Sequence, residues 1–133
     1  MQDSITLIRR YYTAFNAKEW QDMLACLADD VRHHVNEGEV RVGKGAFEAF
    51  LAHMNRCYDE HLTNITVMAT PDGQRAAAEF VVNGTYIATD EGLPEARGQN
   101  YVLPAGAFFD VENGLIARVT TFYNLRHWVS QVM

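Results

Sequence analysis

The chain has 133 residues, 48% hydrophobic and 21% charged, which suits a single domain over residues 1–133 with a buried core. Its formal net charge is −6 and it holds no basic run, which argues against nucleic acid and anionic membrane surfaces as partners. No apolar segment reaches transmembrane length, MQDSITLIRR has no basic-then-apolar signal pattern, and Cys26 and Cys57 are too few for a disulfide framework. A reducing, cytoplasmic setting is the expectation. Asp3 or Ser4 can cap a first helix, in which Ile5, Ile8, Tyr12 and Phe15 keep helical spacing and Leu7 and Tyr11 widen the stripe. Asn16-Ala17-Lys18 interrupts it, and a second helix carries Trp20, Met23, Leu24 and Leu27, ending at Ala28-Asp29-Asp30. The spacing then predicts a strand, VRHHVN, a turn at Glu37-Gly38, and a short return strand at Val40 to Val42. Gly43-Lys44-Gly45 opens a third helix with Phe47, Phe50, Leu51, Met54 and Tyr58 on one face. Leu62 to Thr70 reads as a strand closed by Pro71-Asp72-Gly73.

Three long strand-like runs follow, AAAEFVVNGTYIA, GQNYVLPAGAFFDV and LIARVTTFYNL. The last two are joined through Asn113-Gly114, a hairpin signal because both positions tolerate positive φ. Helices early and strands late indicate an α+β fold, an antiparallel sheet curved into a cone over three N-terminal helices, with the cone's mouth as a ligand pocket. Both faces of the long strands are rich in apolar side chains. The outer face therefore needs a cover, and homodimerisation through the sheet is the simplest one.

Four segments resemble proteins of the nuclear-transport-factor-like superfamily, and within it the SnoaL-like and ketosteroid-isomerase-related families. RRYYTAFNAKEW resembles the first helix and turn of ketosteroid isomerases, and LADDVRHHVNEG their run into the first strand. NGTYIATDEGLPEARGQ resembles a stretch of SnoaL-like polyketide cyclases, and DVENGLIARVTTFYNL the final hairpin of both. In the isomerases an Asp base moves a proton while a Tyr and a protonated Asp hold the oxyanion. The resemblance places Tyr11 at the oxyanion Tyr, but Val35 at the base and Gly106 at the protonated Asp. The cyclases use an Asp on the final strand, where this chain offers Asn124, assisted by a His for which Arg97 to Val111 has no counterpart. The implied ligand is a small apolar, steroid-like or polyketide-like molecule bearing a carbonyl.

Strand alternation sorts the remaining candidates. With Val35 facing the cone, Val31 and His33 face it too, as do Gly106 and Phe108 on the penultimate strand and Val119, Thr121 and Tyr123 on the last. Glu79, Val81 and Asn83 share one face of their strand; the family register turns Glu79 and Asn83 inward, and a slip of one residue reverses this. His33 and Glu79 are the acid–base candidates, as a couple if both face inward, and Tyr11 or Tyr123 the donors to a developing oxyanion. Phe15, Trp20, Phe50, Met54 and Tyr58 supply core and the apolar shape of the mouth. Cys57 and His61 fall four apart if the third helix extends that far, but two ligands make no zinc site, and neither a metal nor another cofactor is implied. Two functions remain open: a cofactor-free isomerase, cyclase or hydratase, or a non-catalytic binding module using the same cavity.

Overall fold

The computed structural model describes residues 3–133. Helix α1 spans Ser4–Ala17, capped by the Asp3 carboxylate accepting from the Thr6 amide at 2.7 Å, and it ends on Lys18 in the left-handed region. Helix α2 is short, Trp20–Leu24, and β1 runs over Leu27–Val35. Strand β2 is Arg41–Val42, α3 is Lys44–Cys57 and β3 is Tyr58–Ala69. Strands β4, Arg75–Tyr86, β5, Gln99–Glu112, and β6, Leu115–Tyr123, follow, and α4, Leu125–Val132, closes the chain.

The six strands form one curved sheet in the order β2-β1-β6-β5-β4-β3. All neighbours are antiparallel except β1 and β6, which pair in parallel, so the sheet is mixed. The β5–β6 turn places both Asn113 and Gly114 at positive φ, 53° and 77°, as the Asn-Gly pair requires. Helix α1 packs on β3 and β4, while α3 touches β1, β2 and β3 and so links the two edges of the sheet.

Three departures from the sequence reading shape the site. Helix α2 stops at Leu24, and Leu27 to Asp30 belong to β1, because the parallel ladder with β6 begins at Leu27 opposite Ile116. Helix α3 stops at Cys57, and the next residue already pairs with β4, Tyr58 opposite Tyr86. The helical spacing of Cys57 and His61 therefore does not exist; His61 is an exposed strand residue. Finally, LRHWVSQV forms α4, which sequence reading leaves unassigned. Its Gln131 side chain accepts from the Val102 amide and donates to the Val102 carbonyl, both at 2.9 Å. Those groups lie where β5 has no β6 partner, so the helix satisfies an edge that the ladder leaves open.

Candidate active site

Between the concave face of the sheet and the helices lies a cavity of about 390 Å³, toward the small end of the range for ligand sites. Its wall is largely apolar. Phe15 and Tyr11 enter from α1, Phe50 and Met54 from α3, His33 and Val35 from β1, Thr121 and Tyr123 from β6, and Tyr58 from β3. Val31 and Val119 also point inward but are fully buried in the closed core and do not reach the wall. Trp20 packs edge-on against Phe15 at 5.9 Å between ring centroids and is likewise off the wall.

The faces of two strands are opposite to the expected ones. On β4 the even-numbered residues, among them Phe80, Val82 and Gly84, are the buried set. Glu79, Val81 and Asn83 therefore turn outward, with Glu79 exposed and the Asn83 amide bonded to the His61 carbonyl and Thr63 hydroxyl. On β5 the odd-numbered Leu103 and Ala105 line the cavity, so Gly106 and Phe108 are outside. The cause is one residue of register, which in a period-two element inverts every side chain. A His33–Glu79 couple cannot form. Asn124 is not on the wall either; it caps α4, its side-chain oxygen accepting from the His127 amide at 3.0 Å.

The acids of the cavity come instead from β3 and from the turn after β4. Glu60 lies between Tyr58 and Leu62 on the inward face of β3 and lines the cavity. The Tyr101 hydroxyl donates to its Oε2 at 2.5 Å. This reach is possible because Gly84 stands between them: Glu60 pairs with Gly84, and Gly84 with Tyr101, across three adjacent strands. A Cβ on Gly84 would overlap the Tyr101 ring, so the glycine is the gap through which the ring crosses. Burial pushes the Glu60 carboxyl above the usual carboxylate range, with the Tyr101 hydrogen bond and Lys18 pulling it partly back.

Asp90, beside it on the wall, is held from both sides. The Tyr58 hydroxyl donates to Oδ2 at 2.7 Å, and His53 Nε2 lies 3.0 Å from Oδ1. Arg56, which can only donate, contacts His53 Nδ1 at 2.9 Å, so the hydrogen of neutral His53 sits on Nε2 and points at Asp90. The Asp90 amide donates to the Tyr86 hydroxyl at 2.9 Å, which anchors the turn. Possible ligand atoms of His53, Cys57 and Asp90 lie within 4.8 Å of one another. The usual ligating histidine offers its lone pair to the ion and its N–H to a second-shell acceptor. With Arg56 on Nδ1 the polarity of His53 is the reverse, which fits a hydrogen-bond chain and not an ion.

On the other side of the cavity His33 is 3% exposed and stacks on Phe47 at 4.2 Å, with Phe50 edge-on at 4.6 Å. Burial, Arg41 and His34 pull its pKa down to about 4, so the imidazole is neutral at physiological pH. Its buried Nδ1 has no hydrogen-bond partner among the described residues. The hydroxyls of Tyr11 and Tyr123 also have none among the described residues, and burial raises both pKa values, so both are protonated donors.

A model of the SnoaL-like domain matches residues 8–119. The chain belongs to the SnoaL-like family. Solved structures similar to this SnoaL-like chain include three described as candidate polyketide cyclases. That from Pseudomonas putida has a TM-score of 0.99 at 55% identity, covering 100% of both chains. That from a Silicibacter species has a TM-score of 0.96 at 62% identity, covering 100% of this chain and 97% of its own. That from Xanthomonas campestris has a TM-score of 0.95 at 52% identity, covering 98% and 96%. None of the curated proteins matches the sequence. No described helix is long and apolar enough to cross a membrane.

Sequence reasoning missed Glu60, Asp90, Arg41 and Trp128 on the SnoaL-like cavity wall. For Glu60 a signal existed: Tyr58, Glu60 and Leu62 alternate, but Tyr58 also continues the apolar face of α3, and the helical period took precedence. Asp90 lies in a turn whose position only the fold decides.

Proposed function

We propose that the chain is a cofactor-free enzyme that moves a proton on a small, mostly apolar carbonyl compound bound inside the cone, in reactions of the isomerase or polyketide-cyclase kind. The observation that carries this reading is Glu60: a cavity-facing carboxyl whose charged form burial penalises, held in place by Tyr101. The expected carboxylates on β1 and β5 are missing, and β3 supplies one from another wall. The likeness to the candidate polyketide cyclases supports the substrate class.

In this reading the Glu60 carboxylate takes a proton from the carbon next to the substrate carbonyl. The C–H electron pair moves into the carbonyl, forming an enolate whose oxygen accepts from Tyr123, because the Tyr58 hydroxyl is already committed to Asp90. Glu60 then returns its proton, either to another carbon, which is isomerisation, or to the oxygen of a second carbonyl that the enolate carbon has attacked, which is cyclisation. His33, neutral, offers a hydrogen bond and not a charge. We further propose a homodimer through the outer sheet face, where Phe108 and Phe122 form an exposed pair 6.0 Å apart with Val102 and Met68 also exposed.

Deuterium uptake from D2O at the α-carbons of 2-tetralone, followed by NMR, tests the proton transfer. The wild-type chain should accelerate uptake, and Glu60→Gln should lose about a hundredfold or more of that acceleration. Binding of the ketone with equal uptake in both proteins would leave a binding module and remove the enzyme.

A further inference from the structure

The cavity has two chemically different ends. Glu60 belongs to β3, one edge of the sheet, and Arg41 to β2, the other edge, and the curvature of the sheet brings both to one cavity. Arg41 is the only Lys or Arg on the wall among the described residues. Among the described residues it has no carboxylate within ion-pair distance and makes no side-chain hydrogen bond. Its guanidinium lies over the Phe50 ring, 5.2 Å from the centroid. Such a ring contact steadies the guanidinium while leaving its edge N–H groups unused, and those groups match a carboxylate. Directly across the β1–β2 ladder from Arg41 is His33, whose buried Nδ1 lacks a partner among the described residues. A cation without a counter-ion and an orphaned ring nitrogen thus meet at one end of an apolar cavity, in a chain whose net charge is −6.

We propose that the molecule bound here is an amphipathic carboxylate, oriented with its charge on Arg41 beside His33 and its reacting carbonyl toward Glu60. The inference rests on the cavity being the ligand site, and it names the substrate class. A carboxylate at the Glu60 end would meet Glu60 and Asp90, two acids, so one binding orientation is favoured over its reverse. The apolar body would lie along Phe50, Phe15 and Met54.

The test uses 2-naphthoate and its neutral methyl ester as probes, with affinities measured by titration calorimetry at low ionic strength. The wild-type chain should prefer the carboxylate by about tenfold or more. Arg41→Gln should abolish that preference by weakening the carboxylate alone, Arg41→Lys should keep part of it, and Glu60→Gln should keep it all. In the carboxylate complex the His33 titration midpoint, about 4 in the free chain, should rise; in the ester complex it should not. Equal affinity of wild type for both probes, an equal loss of both in Arg41→Gln, or equal His33 midpoints in the two complexes would overturn the proposal. Failure of both probes to bind overturns the cavity as the site. Loss of the preference with ketone exchange intact overturns only the charge assignment.

Discussion

Replacing His33 by Phe should remove most of one step from the acid instability of this protein. In the fold the ring is packed between Phe47 and Phe50, and its pKa is pulled from 6.5 down to about 4 by burial, Arg41 and His34. The unfolded chain takes up a proton at the ordinary value and the folded chain does not. The stability from keeping this ring neutral is therefore fully present above about pH 6.5 and is lost as pH falls toward about 4. Linkage over that window amounts to about 2 kcal/mol at about pH 5 and about 3 kcal/mol at about pH 4. Urea unfolding of wild type and His33→Phe at about pH 8 and about pH 5 measures it. Carboxylates titrate in both proteins and cancel in the comparison, as does any constant cost of fitting the larger ring. The difference in stability between the two proteins should shift by about 2 kcal/mol in favour of the variant on going to the lower pH. Parallel acid limbs, or a His33 resonance titrating at an ordinary midpoint, would refute the burial argument.

Two further outcomes follow from the sheet. Gly84→Ala should destabilise the fold by about 1–3 kcal/mol and drive Tyr101 off Glu60, because the new methyl occupies the space of the ring. Most of that cost should vanish in a Tyr101→Ala background, and a full cost there would place the strain elsewhere. Phe122→Glu should dissociate the proposed dimer to a 15.0 kDa monomer in sedimentation while preserving the cavity; a wild-type chain that is already monomeric at high concentration refutes the dimer.

The element order was legible because apolar periods, caps and the Asn-Gly turn act over a few residues. Helix α1, α3, the long strands and the β5–β6 turn all come from such local signals. Boundaries were less so where one residue served two periods: Tyr58 completes the stripe of α3 and also begins the alternation of β3, and only pairing with Tyr86 decides between them. Helix α4 went unread because its docking on the open edge of β5 is a long-range contact.

The site divides in the same way. His33, Val35, Tyr11, Thr121 and Tyr123, which the family resemblance with strand alternation turned inward, stand on the wall. On β4 the alternation of Arg75, Glu79, Asn83 and Thr85 against Ala76, Phe80, Val82 and Tyr86 marks the buried face, and it was the family register that turned Glu79 and Asn83 inward against it. Interactions within a few positions were enough to specify an α+β chain with early helices, a terminal hairpin and the residue types of a small-molecule cavity. Local alternation put Glu60 on one face with Tyr58 and Leu62, but it was the tertiary structure that seated Glu60 in the cavity and left Glu79 outside. A ladder in register across β3, β4 and β5 must align Glu60, Gly84 and Tyr101 at once, and that condition joins residues 41 positions apart.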